Sequence, residues 1–196
     1  MAILLEHNTK VLVQGITGKE GQKASQSMRE YGTTVVGGVR PGKAGELVEG
    51  VPVFDSVKDA LAAVGTIDVT TIYVPPFAAK AAILEAIDAG IPLINTIIER
   101  IPIQDTAYCL AAAKDRGVRL IGPSSLGFIS PGIGRAKRIS RSNFSAGEHW
   151  YYFSLGWHDK RSELASTQSR LGTKYSCARR RRLTYGYYLC RSLTLI

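Results

Sequence analysis

Apolar residues in the first two thirds of the chain fall into short uninterrupted runs, separated by stretches that carry helical periodicity and end at glycine. Lys10-Val11-Leu12-Val13-Gln14 is the first run and stops at Gly15; the spacing beyond it predicts a helix from about Lys19 to Tyr31, ended by Gly32. Thr34 to Val39 reads as a second strand and Val69 to Val74 as a third, closed by Pro75-Pro76. An alanine-rich helix follows over Ala78–Ala89 with Gly90 as its cap, then a fourth strand over Leu93–Ile98. Ile103 to Arg116 predicts another helix, stopped by Gly117, and Val118 to Ile121 a fifth strand. The strand runs are continuous rather than alternating, which marks a parallel sheet covered on both faces. Strands alternating with helices then give a doubly wound, Rossmann-like α/β domain.

In such a sheet ligands bind beyond the carboxyl ends of the strands, so the loops at Gly15–Gly21, Arg40–Gly45, Pro75-Pro76 and Ile97–Arg100 are expected to converge. Gly15, Gly18 and Gly21 follow a strand and open a helix. Glycines there let the backbone turn tightly beside a diphosphate, and the helix amino terminus offers free N–H groups and partial positive charge. An NAD site needs an acid near the end of the second strand to hold the ribose hydroxyls. Here the chain reads Val39-Arg40-Pro41-Gly42-Lys43, two cations and no acid. That suits a nucleotide with an additional phosphate, either NADP or coenzyme A. Glu99 ends an apolar strand on the same rim, where it either accepts hydrogen bonds from a ligand or caps the next helix. Gly122 to Gly127 is either a further ligand loop or the exit from the domain, and His7 receives no role.

The chain has 196 residues and a formal net charge of +9. That charge is localised: residues 1–135 hold 13 basic and 13 acidic residues, and 136–196 hold 12 basic and 3 acidic. The basic balance therefore says nothing about the α/β part. No run approaches the roughly 20 apolar residues of a membrane span, and the first residues lack the pattern of a secretory signal. Cys109, Cys177 and Cys190 lack metal-ligand spacing, which fits a reducing, cytoplasmic setting and no zinc.

Several motifs together resemble the alpha subunit of succinate–CoA ligase. They are Asn8-Thr9-Lys10-Val11, Gln14-Gly15-Ile16-Thr17-Gly18, Gly37-Gly38-Val39 with Pro41-Gly42-Lys43, Pro52-Val53-Phe54, Ile72-Tyr73-Val74-Pro75, Ile83 to Gly90, and Gly122-Pro123. The resemblance covers residues 1–135. It implies that Thr17, Gly18, Lys19 and Glu20 line a coenzyme A site, that Lys43 holds phosphate, and that Ile97, Ile98 and Glu99 run along the ligand. It also implies a beta-subunit partner that binds nucleotide and magnesium, succinate as the acid, and a phosphate-carrying histidine in a second domain, in the cytoplasm or a mitochondrial matrix. Two departures stand out: Ile98-Glu99-Arg100 where the family has Thr-Glu-Gly, and Ser124 where it has Asn. A stand-alone coenzyme A-binding regulatory module and an NADP-dependent oxidoreductase domain are the rival readings.

Residues 136–196 read as an aberrant remnant of the start of that second domain. Trp150-Tyr151-Tyr152, Arg179 to Arg182 and Tyr187-Tyr188 show neither helical nor strand periodicity, and His149 and His158 do not sit in the family's histidine motif. Trp150–Arg161 can be encoded so that dropping one base yields Gly-Ile-Ile-Ser-Arg-Ser-Gly-Gly-Met-Thr-Ser, which resembles the family segment expected there. The expectation is a shifted reading frame after Arg135 and a chain that ends before the phosphohistidine motif. As read, the tail has no designed core. Its arginine run is then an incidental polyanion-sticky patch, with a genuine RNA-binding tail as the alternative.

Overall fold

The computed structural model describes residues 4–130, 134–136 and 151–154. Its main sheet has seven strands: β1 (Lys10–Gln14), β2 (Thr34–Val39), β3 (Leu47–Val48), β4 (Val51–Phe54), β5 (Val69–Ile72), β6 (Leu93–Thr96) and β7 (Arg119–Ile121). They lie in the order β3-β4-β2-β1-β5-β6-β7, all parallel except β3, which pairs antiparallel with β4. The helices are α1 (Lys19–Glu30), α2 (Val57–Val64), α3 (Ala79–Asp88) and α4 (Ile103–Asp115). The doubly wound α/β fold expected from the pattern is the one present.

Alternate residues of each strand face opposite sides, and the two faces are covered differently. Leu12, Ile72, Ile94 and Leu120 pack against Val57 and Ala60 of α2, Ile83 and Ile87 of α3, and Cys109 and Ala113 of α4. Val11, Val13, Val69, Leu93 and Ile121 pack against Ala24 and Met28 of α1 and against Phe128 and Ala136. These last two belong to β8 (Ser125–Ser130) and β9 (Gly134–Ala136), which form a small antiparallel sheet with β10 (Tyr151–Ser154).

β9 is tied down by polar groups. The Thr33 hydroxyl accepts from the Arg135 N–H at 2.8 Å and donates to its carbonyl at 3.0 Å. The Arg135 guanidinium bonds Ser27 and stacks on Tyr31, 4.9 Å from the ring centre, and Asn95 donates to the Ala136 carbonyl at 3.1 Å.

The structure corrects or settles the sequence reading in four places. Strands β3 and β4 and helix α2 fill a stretch for which no element was predicted. Pro52 within β4 argues against a strand, yet β4 borders the two-residue β3, a position where proline is tolerated. The start of α2 was in fact legible: Ser56 Oγ accepts from the Asp59 N–H at 3.1 Å, a Ser-x-x-Asp cap, and Glu85 of α3 accepts from the Val57 N–H at 2.7 Å. The third and fourth strands end at Ile72 and Thr96, earlier than predicted, because pairing stops where the chains turn out over the rim. Gly122–Gly127 leads into β8, so it is an exit into the second sheet. Tyr151–Ser154 forms a strand against β8, although its side-chain pattern carries no strand signal; backbone pairing alone suffices. The arginine run, His158 and the shifted-frame reading beyond Ser154 lie outside the described residues.

Candidate functional site

The strand order reverses direction at the β1–β5 boundary, the point where doubly wound sheets open a crevice at their carboxyl rim. Four neighbouring strands, β2, β1, β5 and β6, deliver the four loops picked out from the sequence. At the usual strand spacing this row is about 15 Å long, room for an extended ligand.

The first loop is built by backbone sterics. Gly15 adopts φ +79°, and a Cβ there would stand 2.7 Å from the Tyr73 carbonyl oxygen. A Cβ on Gly21 would overlap the carbonyl of Gly15, and one on Gly38 would overlap the side chain of Ile16. Strand β2, the loop and α1 therefore approach as closely as they do only because these residues are glycine. Gly15 N–H donates to Val39 O at 2.8 Å and Gly18 N–H to Gly15 O at 3.1 Å, which fixes the turn. α1 then begins without a side-chain cap. Its first helical bond runs from Gln22 N–H to Gly18 O at 2.9 Å. The N–H groups of Lys19, Glu20 and Gly21 thus have no partner within the helix and, with the macrodipole, form an anion seat.

Around this seat the predicted residues fall as follows. Thr17 is half-buried, its carbonyl accepting from Gln22 Nε2 at 3.1 Å, and Gly18, Lys19 and Glu20 are exposed. Lys43 lies in the loop after β2. Its N–H and that of Ala44 both donate to Asp55 at 3.1 Å, while its ammonium pairs with Glu46 at 2.6 Å. The loop is shaped, and its cation is held by a half-exposed partner that a phosphate can displace. Ile97 is half-buried, Ile98 buried and Glu99 exposed, in the loop after β6. Pro102 occupies the cap position of α4 and no side chain caps it, so Glu99 does not serve as the cap. The adjoining Arg100 sits at φ +61°, a left-handed conformation that suits glycine. Ser124 N–H donates to Ile98 O at 3.0 Å, clipping this loop to the segment after β7.

Tyr73 was missed as a residue of interest. Burial, with the Glu20 carboxylate adding to it, pushes its phenol far above the ordinary tyrosine range. Its hydroxyl is buried with no hydrogen-bond partner. From sequence it is indistinguishable from any aromatic at the end of a core strand. Among the described residues no cluster of His, Cys, Asp and Glu is placed to hold a metal, and no helix is long and apolar enough to cross a membrane.

Fold and rim together define a doubly wound α/β domain of the nucleotide-binding kind, with the uncapped amino terminus of its first helix on the rim. Residues 6–100 match the CoA binding domain family. Two thirds of the chain aligns with succinate–CoA ligase alpha subunits, as the motifs had indicated. The alpha 2 subunit of the ADP-forming enzyme from Archaeoglobus fulgidus is 49% identical over 133 residues, which is 67% of this chain and 46% of that protein. The malate–CoA ligase alpha subunit of Methylorubrum extorquens is 46% identical over 136 residues, again 67% and 46%. The chain spans about half the length of the curated relatives it matches. Among solved structures, ATP citrate lyase from Methanothrix soehngenii, in complex with citrate and coenzyme A, superposes with a TM-score of 0.60. It is 21% identical and the match covers 69% of this chain and 24% of that one, a likeness of fold.

Proposed function

We propose that this chain is the coenzyme A-holding part of an acid–thiol ligase alpha subunit, with succinate as the acid. The observation that carries the reading is the uncapped start of α1 at the switch point, inside the segment that matches the CoA binding domain family. The amides of Lys19, Glu20 and Gly21 take the diphosphate. Lys43 would exchange Glu46 for the 3′-phosphate, and Ile97, Ile98 and Glu99 would hold the rest of the ligand. The relatives' names support a ligase and an alpha subunit, so the reaction needs a beta subunit. There the thiol of coenzyme A attacks succinyl phosphate, forming the thioester and releasing phosphate. Alone, this chain binds the cofactor and does not ligate. Residues 1–135 act as the binding domain, and the residues after them are a frame-shifted remnant of a second domain, of which Ala136 completes β9 and Tyr151–Ser154 forms β10. The expected compartment is reducing, the cytoplasm or a mitochondrial matrix.

Calorimetric titration of the full chain with coenzyme A, dephospho-coenzyme A and NADP tests this reading. Coenzyme A binding more tightly than its dephospho form supports it. Tight binding of NADP alone turns the assignment to a redox domain, and silence toward all three removes the site.

A further inference from the structure

Tyr73 holds a place that its missing hydrogen bond makes conspicuous. It follows β5 at the switch point, its N–H donates to Gln14 O at 2.9 Å, and its carbonyl lies against Gly15. It is partly buried against the apolar cluster that includes Val13 of β1, Ile16 of the first loop and Ala24 of α1. The hydroxyl is buried and unpartnered, and so is that of Thr71, two residues earlier on the same sheet face, so neither hydroxyl relieves the other. Buried donors without acceptors are rare because nothing repays their lost hydration. Nearby, Glu20 is an exposed carboxylate in the first turn of α1, and its charge reaches the phenol. In the free protein that carboxylate is well placed against the positive end of the helix. A bound diphosphate occupies the same end with more charge and repels it.

We propose that Tyr73 is a positioning residue for the anion seat: on diphosphate binding Glu20 leaves the helix terminus and its carboxylate accepts a hydrogen bond from the Tyr73 hydroxyl. The bond removes a like charge from the phosphate, satisfies the buried donor and holds the first turn of α1 in its binding position. Hydrogen bonds of a hydroxyl to a carboxylate are among the stronger ones. Their loss on the ligand-bound side alone therefore shows as affinity and not as stability of the free protein. The inference rests on the reading of the α1 terminus as the coenzyme A diphosphate site.

The test is a double-mutant cycle in the full chain, with Tyr73→Phe and Glu20→Ala singly and together, read by coenzyme A titration and by thermal unfolding without ligand. Tyr73→Phe is expected to raise Kd roughly tenfold when Glu20 is present. In the Glu20→Ala background it should change Kd less than about twofold. The ligand-free melting temperature of Tyr73→Phe should equal or exceed that of the unmodified chain. Equal losses of affinity in both backgrounds, no loss in either, or a lowered melting temperature would overturn the inference while leaving the cofactor assignment standing. Failure of the unmodified chain to bind coenzyme A overturns both.

Discussion

Two walls of the rim are made by opposite means. The Gly15–Gly21 wall is backbone: the absence of side chains lets β1, β5 and α1 close together, and the helix start is left without a side-chain cap. The loop after β6 carries side chains instead, with Ile97 half-buried, Ile98 in the core and Glu99 exposed, and it turns through Arg100 in a left-handed conformation without a glycine's freedom. The first wall therefore tolerates almost no substitution at Gly15 or Gly21, whereas the second already carries strain and should accept relief. The same contrast separates what binds phosphate, dictated by sterics, from what contacts the rest of a ligand, where relatives named for succinate and malate coexist.

The comparison breaks most visibly at Gly21. Gly21→Ala drives a methyl into the carbonyl of Gly15, backbone against backbone, and should destabilise the chain by about 3 kcal/mol or prevent folding. Urea unfolding of this variant at near-native stability would show that the first wall is softer than argued. Lys43→Ala should weaken coenzyme A binding by about 1–3 kcal/mol through loss of a charge-assisted phosphate contact. Its stability should hardly change, since the Lys43–Glu46 pair it breaks is half-exposed and worth little. The affinity loss should vanish with dephospho-coenzyme A; an equal loss with both ligands would take Lys43 off the 3′-phosphate. Arg100→Gly should act in the opposite direction from Gly21→Ala, stabilising by about 1 kcal/mol as the left-handed strain is released. A lower unfolding midpoint for Arg100→Gly would mean that its side chain contributes more than its backbone costs. The smallest effect lies away from both walls: Ser56→Ala removes the cap of α2 and should cost about 1 kcal/mol, with coenzyme A affinity unchanged in the same titration.

What could be read in the sequence follows from the same physics. β1 and β2 were delimited correctly, and α1, α3 and α4 to within about two residues, because glycine or proline punctuates each of them. The turn of the first wall was legible for the same reason, since its conformation resides in glycine spacing. The hairpin β3–β4 was not, because a two-residue strand and a proline-bearing one give no periodicity. Helix α2 was overlooked despite the Ser56–Asp59 cap. The orphaned hydroxyl of Tyr73 is a tertiary fact with no trace in local pattern. Tyr151–Ser154 pairs through its backbone with a strand more than twenty positions away, which side-chain reading does not reach.

The central claim is that backbone amides at the first β–α crossover grip the diphosphate of coenzyme A. Amide chemical-shift mapping of the full chain during a coenzyme A titration tests it most directly. The N–H resonances of Gly18, Lys19, Glu20 and Gly21 should move furthest, with those of Lys43 and Ala44 next. Binding that leaves the Gly18–Gly21 amides unmoved while perturbing another face of the sheet would contradict the account.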